Sequence, residues 1–526
     1  MYNKTRGDKK KMANFNSKKL NTSLTHNSAG GVAYKESLKA ELATLLLTSF
    51  LSGNKAYQSN DKVMERLLEL CSQMIGEDKT FLAKASLYAR DKYQMRSVSH
   101  VVSAAILGSI CQGGWSDEDK RMVRRYLSKV AMRPDDITET IACYSNRADA
   151  YRSKKGRVQL PNVAKKGFSD AMSSYDEYRM AKYRNEDKEI SLLDAVRMSH
   201  VKATEKNKSA LDKLIAGTLK VFSTWSAKLS KAGEKGTKEE VEQAKKEAWS
   251  EFVAKGNKVE YFALLRNLRN ILEQADTDTL NKACALLSDS ELISKSRVLP
   301  FRYLSAYQAV ELSSEKSSVK RNKIVRALNR AVEASLSNVP KFEGTTAILL
   351  DISGSMSSYI SSETSVKYSD IANMFAAILY KTNDCDVILF NDRANPLRAN
   401  PEDSVFTIMN SIPCGGGTDM SAAFRAIQDE KYDRIIVLSD MNTWADSRSF
   451  WGSSTGSNKL FNQYKKKHGL SNCQLFSFDL SGDGTLQFPE NNVFLLAGWS
   501  NESFNLMSRM AEDKQFLIHE IEAIEL

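Results

Sequence analysis

Asp351-Ile-Ser353-Gly-Ser355 places one carboxylate and two hydroxyls at positions i, i+2 and i+4. In a tight loop that spacing aims three oxygens at a single point. Gly415-Gly416-Gly417-Thr418-Asp419 adds a hydroxyl in a stretch whose glycines let the backbone come close. Val437-Leu-Ser-Asp440 ends in a second carboxylate. Hard oxygen ligands of that mix suit Mg2+, with Ca2+ or Mn2+ as alternatives. Asp351, Ser353, Ser355, Thr418 and Asp440 are therefore the candidate metal ligands. DxSxS alone recurs in Ser-rich sequence by chance; three such loops at compatible chain distances make the pattern specific. A lone ion of this kind can polarise a phosphate. No nucleophile and no histidine base stands beside these loops, so no catalytic residue is assigned and the chain is not expected to be an enzyme.

The elements that must hold these loops change character at Pro340. Thr346-Ala-Ile-Leu-Leu-Asp351 is a short apolar run ending in an acid and predicts a buried strand. Helix Tyr368 to Lys381, strand Asp386 to Phe390, helix Asp419 to Gln428 and strand Arg434 to Ser439 follow. Helix Lys459 to His468, strand Gln474 to Phe478, strand Val493 to Leu496 and helix Ser503 to Met510 complete the alternation. Strands alternating with helices imply a mostly parallel sheet covered on both faces. In such sheets ligands gather at the carboxyl ends of the strands, where Asp351 and Asp440 fall.

From about Tyr34 to Leu336 the hydrophobic period is helical throughout. Leu38, Leu42, Leu45, Leu46 and Phe50 recur at helix spacing, as do Val63, Leu67, Leu70 and Met74. Later helices are expected over Lys206 to Lys231, Lys238 to Ala254, Tyr261 to Gln274, Asp278 to Leu287, Phe301 to Leu312 and Ser318 to Leu336. Breaks fall at Gly53, Gly76, Gly113-Gly114 and Pro134. Short connections suggest antiparallel pairs stacked as a HEAT-like solenoid. The fold class expected is mainly α plus α/β. Residues 1–30 carry Lys9-Lys10-Lys11 and Lys18-Lys19 among Asn and Ser, and are expected to be disordered.

The 526 residues are 42% hydrophobic and 26% charged, which is ordinary for a globular chain. No apolar run is long enough for a membrane span. Met1 to Leu24 is polar and basic with no apolar centre, so no secretory signal is read and the cytoplasm is the expected compartment. The seven cysteines show no CxxC spacing, and the five histidines form no ligand pattern. The net charge of +11 divides into about +20 before residue 341 and about −9 after it. A basic body of that size suggests a polyanionic partner.

The joint pattern of the three oxygen loops resembles the metal-ion-dependent adhesion site of von Willebrand factor A domains, across about 340–526. Such sites leave one position of the metal open for water or a partner's acidic group. Several stretches of the body resemble the TROVE module of the Ro autoantigen proteins. They are Asn27-Ser-Ala-Gly-Gly31, Phe50-Leu-Ser-Gly53 with Tyr57, Tyr88-Ala-Arg-Asp91 and Met95-Arg-Ser-Val-Ser-His100. Leu160-Pro to Lys166-Gly167, Tyr178-Arg-Met-Ala-Lys-Tyr183, Leu193 to His200 and Arg297-Val-Leu-Pro-Phe-Arg302 complete the set. Tyr93-Gln94, Ser99 and the Lys-rich Ala203 to Lys258 depart from the family pattern.

After the disordered 1–30, the resemblance implies a TROVE helical-repeat domain over 31–340 and a von Willebrand A domain over 341–526, with the repeats forming a ring that the A domain closes. It implies small noncoding Y-like RNA on the outer basic surface, and single-stranded 3′ ends of misfolded or decaying RNA in the central hole. It also implies an exoribonuclease partner such as polynucleotide phosphorylase. A monomer is expected, since the A domain can cap both solenoid ends.

Charge chemistry points to the same surface. Lys154-Lys155, Arg157, Lys165-Lys166, Lys182, Arg184, Arg197, His200 and Lys202 cluster in sequence, with Tyr175, Tyr178 and Tyr183 interleaved as candidate base-stacking rings. Arg90, Arg96 and His100 lie on matched helices that are expected to face the ring interior. The RNA-binding candidates are Arg90, Arg96, His100, Lys165, Lys166, Lys182, Arg184, His200 and Lys202. Phe301 and Tyr303 are expected in the core, and Trp444 either shapes the metal rim or packs. Two other readings stay open: a metal-dependent protein-interaction module of adhesion or chelatase-associated type, and a Mg2+-dependent hydrolase.

Overall fold

The structure is a computed structural model. It describes residues 37–48, 60–184, 188–219, 229, 233, 237–360, 366–440, 456–470, 473–480, 493–497, 503–512 and 516–526, together with two short strands near the start. Those strands, β1 (Leu24–His26) and β2 (Val32–Tyr34), pair antiparallel. Strand β1 lies inside the segment 1–30 expected to be disordered; the rest of that segment lies outside the described residues.

The body is helical, as its period requires. Helix Lys79–Lys92 packs against both Arg96–Gln112 and Asp117–Val130, and Arg96–Gln112 packs against Pro134–Ser145. Their ends follow from local chemistry. Gly113 and Gly114 take φ of 104° and 77°, so the chain turns where side chains would be strained. Ser116 then opens the next helix with a capping box: its Oγ accepts from the Asp119 N–H at 3.0 Å, and Asp119 accepts from the Ser116 N–H at 3.1 Å. Pro134 sits at the first position of its helix, where no N–H is needed.

One expected helix is two. Tyr261–Arg266 and Leu268–Gln274 are separated at Asn267, whose side-chain amide donates to the Ala263 carbonyl at 2.8 Å. An Asn that competes for backbone partners weakens the helix at its own position. The helix expected from Lys206 likewise stops early: it spans Lys208–Ile215 and is followed by Gly217 at φ 70°.

The C-terminal unit is a six-stranded sheet in the order β5-β4-β3-β6-β7-β8. The strands are β3 (Thr346–Asp351), β4 (Cys385–Phe390), β5 (Ala394–Pro396), β6 (Arg434–Ser439), β7 (Gln474–Asp479) and β8 (Val493–Ala497). All pairings are parallel except that of β5, a short edge strand absent from the sequence reading. The alternation along β3 sorts its side chains between two cores. Ala347 and Leu349 pack with Met420, Phe424, Phe461 and Tyr464. Ile348 and Leu350 belong to the larger core that runs on through the helical body.

That shared core docks the two parts. Phe301 of the body stacks on Phe504 at 5.3 Å and meets Phe375 at 5.5 Å, and Tyr307 stacks on Phe406 at 4.4 Å. At the other end of the body, Lys39 bridges to Glu522 at 2.9 Å, and Lys84 donates to the Glu522 carbonyl at 2.6 Å. Arg125 and Lys129 donate to the carbonyls of Leu526 and Glu525. The helical array thus begins and ends on the same α/β domain, and the chain closes on itself. Among the described residues no helix is long and apolar enough to cross a membrane.

Candidate metal centre and nucleic-acid interface

The chain runs from β3 to β4 on one side and returns to β6 on the other, so the ends of β3 and β6 frame a switch-point crevice. Asp351 is the last residue of β3 and is fully buried. Its Oδ1 accepts the Ser353 N–H at 2.8 Å and its Oδ2 accepts the Ser439 hydroxyl at 2.6 Å. Those bonds fix the carboxylate's plane. The Ser353 and Ser355 hydroxyl oxygens lie 3.1 Å apart. Asp440 directly follows β6, and it and Thr418 are buried as well.

The loops are tied to one another through backbone. The Gly354 N–H donates to the Gly416 carbonyl at 2.9 Å, and the Gly415 N–H to the Ile352 carbonyl at 2.7 Å. A further loop, which the sequence reading missed, braces the glycine loop. Asn391 donates from Nδ2 to the Gly415 carbonyl at 2.7 Å, and Asp392 accepts the Gly417 N–H at 2.8 Å. A Cβ at Gly417 would lie 2.3 Å from the Asp392 Oδ1, so a larger residue there would have to displace the Asp392 carboxylate that accepts the Gly417 N–H. The missed signal was positional: Asn391-Asp392 follows β4 much as the metal-site loop follows β3.

The donor set holds two carboxylates and three hydroxyls, and among the described residues no group of three or more His, Cys, Asp or Glu is placed to hold a metal. Burial pushes the Asp351 carboxyl up to about 7, and the charge of Asp440 adds to that, against hydrogen bonds from Ser439 and Ser353. Two acidic groups buried at one point, with hydroxyl oxygens beside them, form a pocket of negative potential that a hard cation relieves. The residues present fit such an ion. Trp444 lies outside the described residues.

The basic candidates divide by environment. Arg90 and Asp136 form a buried ion pair at 2.9 Å. Arg96 reaches both Asp136, at 3.0 Å, and Asp135, at 2.6 Å, and His100 lies 3.0 Å from Asp136. Burial pushes the Asp136 carboxyl up, but the hydrogen bonds and charges of His100 and Arg90 outweigh it and hold it well below the usual carboxylate range. These three residues knit helices together, and Arg90 and His100 have little surface left for a ligand.

Lys166, Lys182, His200 and Lys202 are exposed and Lys165 is half-buried. Lys165 and Lys166 stand on helix Asn162–Met172. His200 ends helix Leu192–Ser199 in the left-handed region, φ 50°, turning the chain so that the Lys202 N–H donates to Ser169 of the first helix at 3.2 Å. The fold therefore brings Lys165, Lys166, His200 and Lys202 to one neighbourhood. Arg184 instead donates to the Leu219 carbonyl. Of the three tyrosines, Tyr175 is buried and donates to the Ala131 carbonyl at 2.6 Å, which corrects its reading as a stacking ring. Phe301 and Tyr303 are core, as expected.

The helical region matches the TROVE domain over residues 25–245 and 189–351. The chain belongs to the TROVE family of Ro-type RNA-binding proteins. The sheet region of this TROVE protein matches the Ro60 vWA domain over residues 346–497. Telomerase protein component 1 of Mus musculus is 31% identical over 146 residues, covering 28% of this chain and 5% of the relative. The Rattus norvegicus protein of the same name is 30% identical over 146 residues, with the same coverage of 28% and 5%. The chain thus spans about 5% of the length of these curated relatives. The crystal structure of Deinococcus radiodurans RO (RSR) protein superposes with a TM-score of 0.62 at 18% identity, covering 92% of this chain and 100% of that one. That likeness shows the fold: a helical array joined to a von Willebrand A-type sheet.

Proposed function

We propose that this TROVE protein is the protein subunit of a small ribonucleoprotein in RNA quality control or decay. It holds a structured, Y-like noncoding RNA on the basic surface formed by Lys165, Lys166, His200 and Lys202. Single-stranded 3′ ends of misfolded or decaying RNA engage the interior of the closed helical array. The observation that carries this reading is the bond from the Lys202 N–H to the Ser169 hydroxyl, which sets the chain at His200–Lys202 beside the helix that carries Lys165 and Lys166, in a body that holds the chain's excess positive charge. Lysines on such a surface set phosphate register rather than read bases. The cytoplasm is the proposed compartment, the monomer the proposed state, and an exoribonuclease the proposed protein partner.

In the same proposal Asp351, Ser353, Ser355, Thr418 and Asp440 hold Mg2+ or a similar hard ion. When bound, such an ion supplies a Lewis-acid position for an acidic group of a protein partner. The chain's own part is to fix the Asp351 plane through Ser353 and Ser439, and to hold the Thr418 loop through Asn391 and Asp392. This is also where the protein-interaction reading retains support.

The test is RNA sequencing after purification of the chain from its own cells, beside a Lys165→Ala, Lys166→Ala, His200→Ala variant. A discrete small RNA bound by the parent and lost in the variant is expected. Equal absence of RNA from both preparations would refute the ribonucleoprotein reading. In titrations, Lys166→Gln and Lys202→Gln should each reduce the salt slope of RNA binding by about one.

A further inference from the structure

Tyr178 is one of the exposed aromatic rings of the helical body, with Tyr151 and Phe262, and the one that stands beside Lys182. It is 45% exposed, on the first turn of helix Glu177–Lys182, while Tyr175, three residues earlier, is buried. Lys182 stands four residues on, on the same helical face. Its ammonium lies 5.7 Å from the Tyr178 ring centre and 5.6 Å from that of Tyr183, so one cation is shared between two rings. The Arg133 guanidinium covers Tyr183 at 4.1 Å. Arg133 is itself fixed, because it donates to both oxygens of Asp135 at 2.9 and 2.7 Å. Tyr183 is thus a braced backstop, and Tyr178, beside the same ammonium, keeps nearly half of its surface exposed.

We propose that Tyr178 and Lys182 form a binding element for one unpaired nucleotide of RNA, with the base stacked on the Tyr178 ring and the adjoining phosphate on the Lys182 ammonium. This rests on the RNA-binding reading above and names which part of an RNA this element takes. Aromatic rings stack any base through its π-face, and a nearby cation tracks the backbone. A duplex cannot use the ring, because its bases are already stacked on one another. The element therefore selects single-stranded tails or loops over paired stems. The exposed Lys166 and Lys202 lie outside this ring pair, so stem phosphates and the unpaired base are held by different residues.

The experiment uses the full chain and a hairpin RNA whose single-stranded tail carries 2-aminopurine, with a blunt duplex of the same stem as control. Tyr178→Ala should weaken binding of the tailed hairpin about tenfold, leave the salt slope unchanged and leave the blunt duplex unaffected. Tyr178→Phe, which keeps the ring, should bind like the parent. The parent and Tyr178→Phe should quench 2-aminopurine fluorescence, and Tyr178→Ala should not. If Tyr178→Ala binds and quenches as the parent does, this element is refuted while RNA binding stands. If the parent binds neither RNA, the ribonucleoprotein reading fails and takes this element with it. A Tyr178→Ala variant that keeps RNA affinity but loses a poly-glutamate peptide would also overturn the inference, in favour of a protein ligand.

Discussion

At the scale of single residues, Asp351 is constrained from several sides. It is fully buried, it faces the charge of Asp440, and its two oxygens already accept bonds from Ser353 and Ser439. Asp351→Asn keeps the shape and removes one of two buried charges. The metal-free variant should therefore melt at or above the parent's temperature, even though a binding group is lost. Mg2+ at a hundred times its dissociation constant should stabilise the parent by about 2.7 kcal/mol and the variant not at all. Thermal melts with and without Mg2+ check this, and an equal Mg2+ response in both chains would remove Asp351 from the ligand set. The placement of Asp351 and Asp440 at neighbouring strand ends was legible in the sequence because each signal is local, a short apolar run ending in an acid. Arg90 and His100 were not, because Asp136, which claims them, lies 46 and 36 residues away. A cation's sequence neighbours do not reveal whether an acid folds onto it.

At the scale of elements, that same acid holds four residues on three helices or their ends. Arg90 is on Lys79–Lys92, Arg96 and His100 are on Arg96–Gln112, and the Arg133 N–H caps onto Asp136 at 3.0 Å at the start of Pro134–Ser145. Asp136→Asn leaves the Arg90 guanidinium buried without its counter-charge, and should cost about 3–5 kcal/mol. The sign of the pH effect follows from the depressed carboxyl. Its stabilising contribution is fully present above the unfolded value, about 3.9, and is lost as pH falls from there towards the folded value. Melting temperature measured down to pH 3 should drop more steeply for the parent than for Asp136→Asn; parallel curves would show that another group governs acid unfolding. The types of the long elements were legible from period alone; the three-residue strands β1, β2 and β5 and the helix boundaries were not. The split at Asn267 depends on one side-chain amide taking a carbonyl, a choice that hydrophobic spacing does not record.

At the scale of the whole molecule, the closed path of the chain rests on two seams of different chemistry. Phe301, Phe375, Phe504, Tyr307 and Phe406 form an aromatic seam at the end of the helical array. Phe301→Ala there should cost about 3–5 kcal/mol, through lost burial and the cavity left behind. At the start of the array, helix Phe516–Glu522 inserts Leu517 and Ile521 and surrounds them with Lys39, Lys84, Arg125 and Lys129 contacts. Of these, Lys39–Glu522 is an exposed ion pair, which contributes little and weakens with salt, and the other three are exposed bonds to carbonyls. Ending the chain after residue 515 should therefore open the start of the array while the aromatic seam holds the sheet to its far end. Small-angle scattering should then show a larger radius of gyration with the melting of the sheet domain unchanged. The parent should move in the same direction, by less, when salt is raised. A truncated chain of unchanged radius would mean that helix Leu38–Thr48 against β8 closes the array without the C-terminal helix. The sequence could not foresee two unlike seams, because each joins residues hundreds of positions apart. It carried only the charge imbalance between body and sheet, which the basic residues at the first seam partly express.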